Sequence, residues 1–328
     1  MTAETLAWDH HLKDYNPVVI SDGTLSEQYN DLLKDPSFVR KVFNGEVTKF
    51  EGYADPPLVD GKLSMELRQE LEQGTAERLK LLDGKVVKVN VNRRSHTGKL
   101  TFDPETNLPR NPLGRTGLVG RGFLGRYGPN HAADALVLRF CPRTGHLQAA
   151  LAFRDRDKKW VISGGMVDFD ENAIHSLLRE LDEETCLDLK KQLKDYFFSS
   201  DPHEGESIFK ESESMTSWVA TKRVVDDNRN TDSSWMETLA VVILLNDELG
   251  ASITKFDPKD TEEIGTASWI DLTPAFLSSQ TVHKVEAGGK TYEETLWDTH
   301  HKLLNALVQQ VVDRGYAKLS DLGYYVKC

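Results

Sequence analysis

From Ala133 onward the chain alternates short apolar, β-branched runs with amphipathic stretches of longer period. ADALVLRF, LQAALAF, KWVIS, SWVATKRVV, ETLAVVILL and ASWIDL read as strands. Two segments read as helices. The first lies in GGMVDFDENAIHSLLRELDEET, residues 164 to 185, where Ile174, Leu177, Leu178 and Leu181 repeat at i, i+3, i+4, i+7. The second, TLWDTHHKLLNALVQQVVDRG, puts Leu296, His300, Leu303, Leu307 and Val311 on one face and offers Gly315 as a C-terminal cap.

The first hundred residues are polar and broken by Pro and Gly. Helical patterning shows at SEQYNDLLKDPSFVRKVF and SMELRQELEQGTAERLKLL, followed by short strand candidates KVVKVNVN and KLTFD. NPLGRTGLVGRGFLGRYGPNH is then too Gly-rich and irregular for a regular element and marks a boundary. The expected organisation is an α+β N-terminal domain over 1–125, placed to cap a cleft, and an α/β domain over 126–328. Phe197 to Glu213 is rich in Ser, Asp, Glu and Gly and reads as a surface loop.

A net charge of −12 argues against a nucleic-acid partner, which needs a basic surface to displace counterions. Three widely spaced cysteines, Cys141, Cys186 and Cys328, fit neither a disulfide framework nor a zinc site. No apolar run reaches bilayer length, and the start lacks signal-peptide character, so a cytoplasmic protein is expected.

The acidic helix is the informative segment. Its stretch holds seven acids, and like charges three or four residues apart repel. Asp168 or Asp170 is placed to cap the helix, and Asp168 with Glu171 has capping-box spacing. Asp182 is expected to be solvated. Glu180, Glu183 and Glu184 form an acidic edge roughly 120° round from the apolar stripe. Without a cation they raise one another's pKa; a hard divalent ion such as Mg²⁺ resolves the conflict. On its own such an edge reads more readily as a solvated face.

The surrounding grammar weighs toward metal. Gly165, five residues, Glu171, seven residues, then Arg179, Glu180, Leu181, one residue, Glu183, Glu184 matches the Nudix box at every position but Cys186, where the family has Gly. The chain thus resembles the Nudix hydrolases. The resemblance implies an α/β/α sandwich with a mixed sheet and cleavage of nucleoside diphosphates linked to another moiety. It implies metal-binding roles for Glu180, Glu183 and Glu184, a fourth ligand in the Gly165 carbonyl, and bracing by Glu171 and Arg179. At Cys186 a left-handed turn strained by about 1 kcal/mol, or a different helix end, is expected.

Three further segments resemble animal ADP-ribose pyrophosphatases and the related ADP-ribose-sensing domain of melastatin-type TRP channels: NPLGRTGLVGRGFLGRYGPNHAAD, VVDDNRNTDSSWMET and LWDTHHKLL. This implies that Asp227 and Arg229 contact the ribose and phosphate end of ADP-ribose, with Trp297 and His300 beside it. From the residues alone, Arg229 equally serves to brace its loop and His300 to fill the core. Arg115 is assigned to the substrate, although Arg115, Arg121 and Arg126 also suit bracing of acids. GRGFLG satisfies a dinucleotide-binding pattern, but RYGP follows where a helix should begin, so that reading fails.

The expected reaction is metal-dependent hydrolysis of ADP-ribose to AMP and ribose 5-phosphate, with Mg²⁺ and Mn²⁺ as candidate ions. General-base candidates are Glu184, Glu237, Asp232, Glu262 and Glu263. The alternatives are a non-cleaving ADP-ribose-binding domain of a cation channel, and hydrolysis of another nucleoside diphosphate sugar. The intact RELDEE core favours cleavage.

Overall fold

The computed structural model describes residues 8, 18–19, 55–56, 58–82, 85–168, 171–187, 189, 209–227, 229–278, 281–287 and 289–323. The helix expected within SEQYNDLLKDPSFVRKVF, most of the Phe197–Glu213 loop, Asp170, Asn228 and Cys328 lie outside these residues. The chain forms two compact units. One comprises Met1–His131, Val167–Glu171 and Lys222–Thr238; the other comprises Ala132–Met166, Asn172–Thr221 and Leu239–Cys328. Among the described residues no helix is long and apolar enough to cross a membrane.

In the first unit β1 (Val18–Val19) pairs with β4 (Leu118–Val119) in parallel. The segment expected to be one helix divides in two. Ser64 caps α1 (Met65–Gln73) by accepting from the Leu67 amide, and Gly74, at φ 73°, ends it in the left-handed region. The following TAERLKLL is β2 (Thr75–Leu82), an antiparallel hairpin with β3 (Lys85–Asn92). Its propensities are helical; pairing with KVVKVNVN overrides them. KLTFD forms no strand, only a bridge between Phe102 and Pro109. The core here is Leu63, Leu67, Leu71, Leu100, Leu108, Tyr127 and Trp235. GRGFLG holds a short 3₁₀ turn at Gly122–Leu124, and β5 (Gly128–Phe140) follows it, consistent with rejection of the dinucleotide pattern.

The principal sheet has seven strands. With β6 (Leu147–Arg154), β7 (Lys159–Met166), β8 (Phe209–Glu211), β9 (Met215–Val224), β10 (Ser234–Leu245) and β11 (Ile264–Asp271), its order is β11-β6-β7-β5-β10-β9-β8. The β6–β7, β5–β7 and β11–β6 registers are antiparallel. Neighbours β5 and β10 begin side by side, with the Gly128 amide donating to the Ser233 carbonyl at 2.7 Å, so they run the same way. The sheet is therefore mixed, as expected, and the chain is of the α/β class.

In the second unit, helices cover both faces of β7. Trp160 and Ile162 share a core with Leu303, Leu304, Leu307, Val308 and Val311 of α5 (Asp298–Asp313). Side chains alternate along a strand, and a Cβ on Gly165 would point at Glu180 of α2 (Ala173–Thr185). The odd positions of β7 therefore face α2. The remaining short elements are α3 (Asp247–Ser252), α4 (Pro274–Leu277) and the hairpin β12 (His283–Ala287) with β13 (Lys290–Glu294).

Candidate functional site

The helix carrying the acidic edge starts later than its acids suggested. Asp168 does not cap it: the N-cap is Asn172, whose side-chain oxygen accepts from the Ile174 and His175 amides at 3.0 and 2.9 Å. Asp168 instead offers its backbone carbonyl to the Glu171 amide. Ile174, Leu177, Leu178 and Leu181 are buried, as their spacing predicts. At the other end Cys186 holds the left-handed turn at φ 58°, with its amide on the Asp182 carbonyl. The turn the family builds from Gly is thus kept with a Cβ in place, at about 1 kcal/mol of backbone strain.

The three glutamates divide by burial. Glu184 is 4% exposed, as buried as the apolar stripe. Its carboxylate accepts from the Gly164 amide of β7 at 3.1 Å. Glu180 leans on the same strand at Gly165, where any Cβ would collide with its carboxylate. Glu183 remains 42% exposed. Arg179 ties two of them together, donating to Glu180 at 2.9 Å and Glu183 at 3.1 Å. Asp182 is not solvated: Lys259 pairs with it at 2.6 Å and its side chain is 16% exposed. The Lys259 and Asp260 amides also bond the Glu183 carbonyl, anchoring the last turn of the helix.

Burial has an electrostatic consequence. Desolvation pushes the Glu180 carboxyl up to about 7, against the lowering influence of Arg179, with Glu183 and Glu263 adding to the rise. Desolvation also raises Glu184 well above the carboxylate range; Arg154 opposes the rise and Glu180 reinforces it. Three carboxylates here are offset chiefly by Arg179 and Arg154. The donors are all hard oxygens, and two are driven toward protonation unless a cation arrives. Such a set suits a divalent ion of the Mg²⁺ or Mn²⁺ kind, with the Gly165 carbonyl on the adjoining strand available as a further oxygen.

The sequence did not point to Arg154, at the end of β6. Its Nε lies 2.9 Å from Glu263, and its guanidinium sits 5.1 Å from the Trp297 ring centre. It therefore joins the helix carboxylates, Glu263 and an aromatic face. No spacing rule marks an arginine that closes an otherwise alternating strand.

Trp297 is the N-cap of α5, and its ring lies 5.5 Å from that of His300. His300 has a definite structural task. Trp160 of β7 bridges Leu296, while Ser163 to Met166 pair with β5. Ile162 falls between these partners, and its amide donates to His300 Nδ1 at 2.9 Å. A ring accepting at Nδ1 carries its proton on Nε2.

The remaining expected residues lie in the first unit. Asp227 and Arg229 are paired with each other through two 2.8 Å bonds, in addition to the Arg229 amide on Asp227. Arg115 packs its guanidinium 5.0 Å from the Trp8 ring centre. Asp232 accepts from the Thr116 and Gly117 amides, the work of a loop brace. Glu171 is half-buried. Glu237 is fully buried and accepts from Ser95 Oγ at 2.6 Å, Trp235 Nε1 at 2.8 Å and the His96 amide at 2.5 Å.

Residues 48–128 match the family model described as the NUDT9-like, N-terminal domain. The chain is 38% identical over 196 residues to a mitochondrial ADP-ribose pyrophosphatase of Rattus norvegicus, covering 56% of this chain and 53% of that one. It is 36% identical over 209 residues to the putative nudix hydrolase 6 of Caenorhabditis elegans, covering 62% and 70%. It is also 38% identical over 164 residues to a transient receptor potential cation channel subfamily M member-like 2 of Nematostella vectensis, covering 46% and 10%. The chain thus spans about half the length of the rat relative.

Proposed function

Since the chain belongs to the Nudix hydrolase family, we propose that it hydrolyses the pyrophosphate of ADP-ribose, giving AMP and ribose 5-phosphate in a metal-dependent reaction. The observation that carries this reading is the carboxylate set of α2: Glu184 is buried and Glu180 half-buried, both with raised pKa values, and Glu183 stands beside them, more exposed. Such an arrangement is unfavourable in the empty protein and becomes favourable around a divalent ion. The name of the rat relative supports the substrate.

Glu180, Glu183 and Glu184, with the Gly165 carbonyl, would hold Mg²⁺ or Mn²⁺. Once bound, the ion would neutralise pyrophosphate charge and lower the pKa of a coordinated water. Arg179 keeps Glu180 and Glu183 oriented when the site is empty. Glu263, close enough to influence both Glu180 and Glu184, is the base we favour for taking the proton from the attacking water. Water adds across one anhydride P–O bond, and each product leaves with a phosphate. Trp297 offers a ring face and His300 an Nε2 proton to the sugar or phosphate oxygens. For the first unit taken by itself, the resemblance proposes ADP-ribose contacts by Asp227, Arg229 and Arg115, with Arg229 exchanging part of its Asp227 pairing for phosphate.

The similarity to a Nematostella vectensis cation channel admits a second reading, a channel domain, which we take as one that binds ADP-ribose without cleaving it. Incubation with ADP-ribose, ADP-glucose or NAD in Mg²⁺ or Mn²⁺ separates the two. AMP and ribose 5-phosphate from ADP-ribose support hydrolysis; tight ADP-ribose binding with no AMP from any substrate supports the second reading.

A further inference from the structure

Among the described residues, one group of His, Cys, Asp and Glu side chains brings candidate metal-ligating atoms together in a mixed nitrogen and oxygen set. It comprises His96, His131 and Glu237, whose ligand atoms all lie within 4.8 Å of one another. The three belong to the first unit and come from separate stretches: His96 from the turn after β3, His131 from β5 and Glu237 from β10. We propose that they form a binding site for a divalent ion of the zinc class, chemically distinct from the all-carboxylate set of α2.

The donor chemistry supports this in three ways. Glu237 is fully buried, yet the groups donating to it, the Ser95 hydroxyl, the Trp235 indole and the His96 amide, are all neutral. They orient the carboxylate without cancelling its charge. Oε1 takes two of these bonds and Oε2 one, so Oε2 keeps the capacity to ligate. His131, 5% exposed, has Nε2 at 2.8 Å from the Arg94 carbonyl. A carbonyl only accepts, so the proton sits on Nε2 and the Nδ1 lone pair is left for a metal, an outer-shell arrangement common to metal-bound histidines. The His96 ring lies 5.1 Å from that of His131, centre to centre.

The set of two imidazoles and one carboxylate is one that zinc uses, and it selects zinc or its late first-row neighbours over Mg²⁺ and Ca²⁺. Arg93 and Arg126 lie near His131 and oppose a cation. Arg93 is itself offset by Asp55, which it grips at 2.8 and 3.2 Å. Ion binding would draw the three ligand atoms in to roughly 3.4 Å apart, the spacing set by metal–ligand bonds of about 2.1 Å in a tetrahedron. Its effect would be to tie the β3 turn to β5 and β10 within the first unit.

The test uses the full chain bearing Glu183→Gln and Glu184→Gln, so that the α2 carboxylates no longer compete, stripped by chelator and titrated with Co²⁺. One Co²⁺ per chain is expected, with visible absorption that Zn²⁺ abolishes by displacement. Adding His96→Ala should weaken binding at least tenfold. Absence of a visible band, or an unchanged band after His96→Ala, would overturn the site. Should that variant fail to fold, ring ¹⁵N spectra of the unsubstituted protein decide: Zn²⁺ is expected to shift the His96 and His131 resonances, and unmoved resonances would overturn the proposal.

Discussion

The Gly164 amide of β7 donates to the buried Glu184 carboxylate at 3.1 Å, fastening the last turn of α2 to the strand it covers. One position on, Gly165 has no side chain and the Glu180 carboxylate occupies the space a Cβ would fill. Helix and strand thus share the burden of the acidic set. Gly165→Ala is expected to displace Glu180 and lower kcat on the order of 10²-fold, the scale of a 1 Å error in catalytic geometry. Circular dichroism should remain native, and an unchanged kcat would separate Glu180 from the reaction.

Glu180 also sets a pH dependence in the metal-free protein. Its folded pKa is raised to about 7 from 4.5. Between those values the folded chain keeps a proton the unfolded chain has lost, so this group's effect on stability becomes steadily less favourable as pH rises, reaching its full penalty above pH 7. Glu180→Gln should therefore stabilise the metal-free protein at pH 8 by on the order of 1–3 kcal/mol. At pH 4.5 the gain should largely vanish. Denaturant melts at the two pH values measure the difference; a gain that is larger at the lower pH contradicts the burial argument.

His300 accepts from the Ile162 amide of β7 at 2.9 Å. His300→Ala leaves the Ile162 N–H unpaired and is expected to cost about 1–3 kcal/mol. Thermal unfolding reads this as a midpoint lowered by a few degrees. A midpoint that does not move would mean the ring serves the ligand alone.

Cys186 sits at φ 58° where the family motif has Gly. Cys186→Gly relieves a Cβ clash worth about 1 kcal/mol, less what the freer unfolded chain takes back. The expected outcome is a small rise in thermal midpoint for Gly and none for Ala. Equal effects would place the strain elsewhere.

The fold and the site were legible where periodicity or spacing states them directly. The stripe of α2, the face of α5 and the strands β5, β6, β7, β9, β10 and β11 follow from 3.6-residue repeats and short apolar runs, whereas β8 lies within the stretch that reads as a surface loop. Local propensity failed at TAERLKLL, which reads as helix but is recruited by its hairpin partner. It failed again at the α2 cap, where two aspartates outshone Asn172. Glu184 read as part of an acidic edge, and only the tertiary structure shows it as buried as Leu178. Arg154, and the gathering of His96 and His131 around Glu237, depend on contacts between residues far apart in sequence, which no local pattern encodes.

If the α2 carboxylates enable metal-dependent cleavage of ADP-ribose, as proposed, removing them should abolish it. The direct measurement is AMP release from ADP-ribose, with and without Mg²⁺, by the unsubstituted chain and by the Glu183→Gln, Glu184→Gln double variant. Metal-dependent AMP release is expected from the former, and release lowered by at least about 10³-fold from a folded double variant, the scale lost with a principal source of transition-state charge stabilisation. Equal AMP release by both proteins, or release indifferent to Mg²⁺ and Mn²⁺, would contradict it.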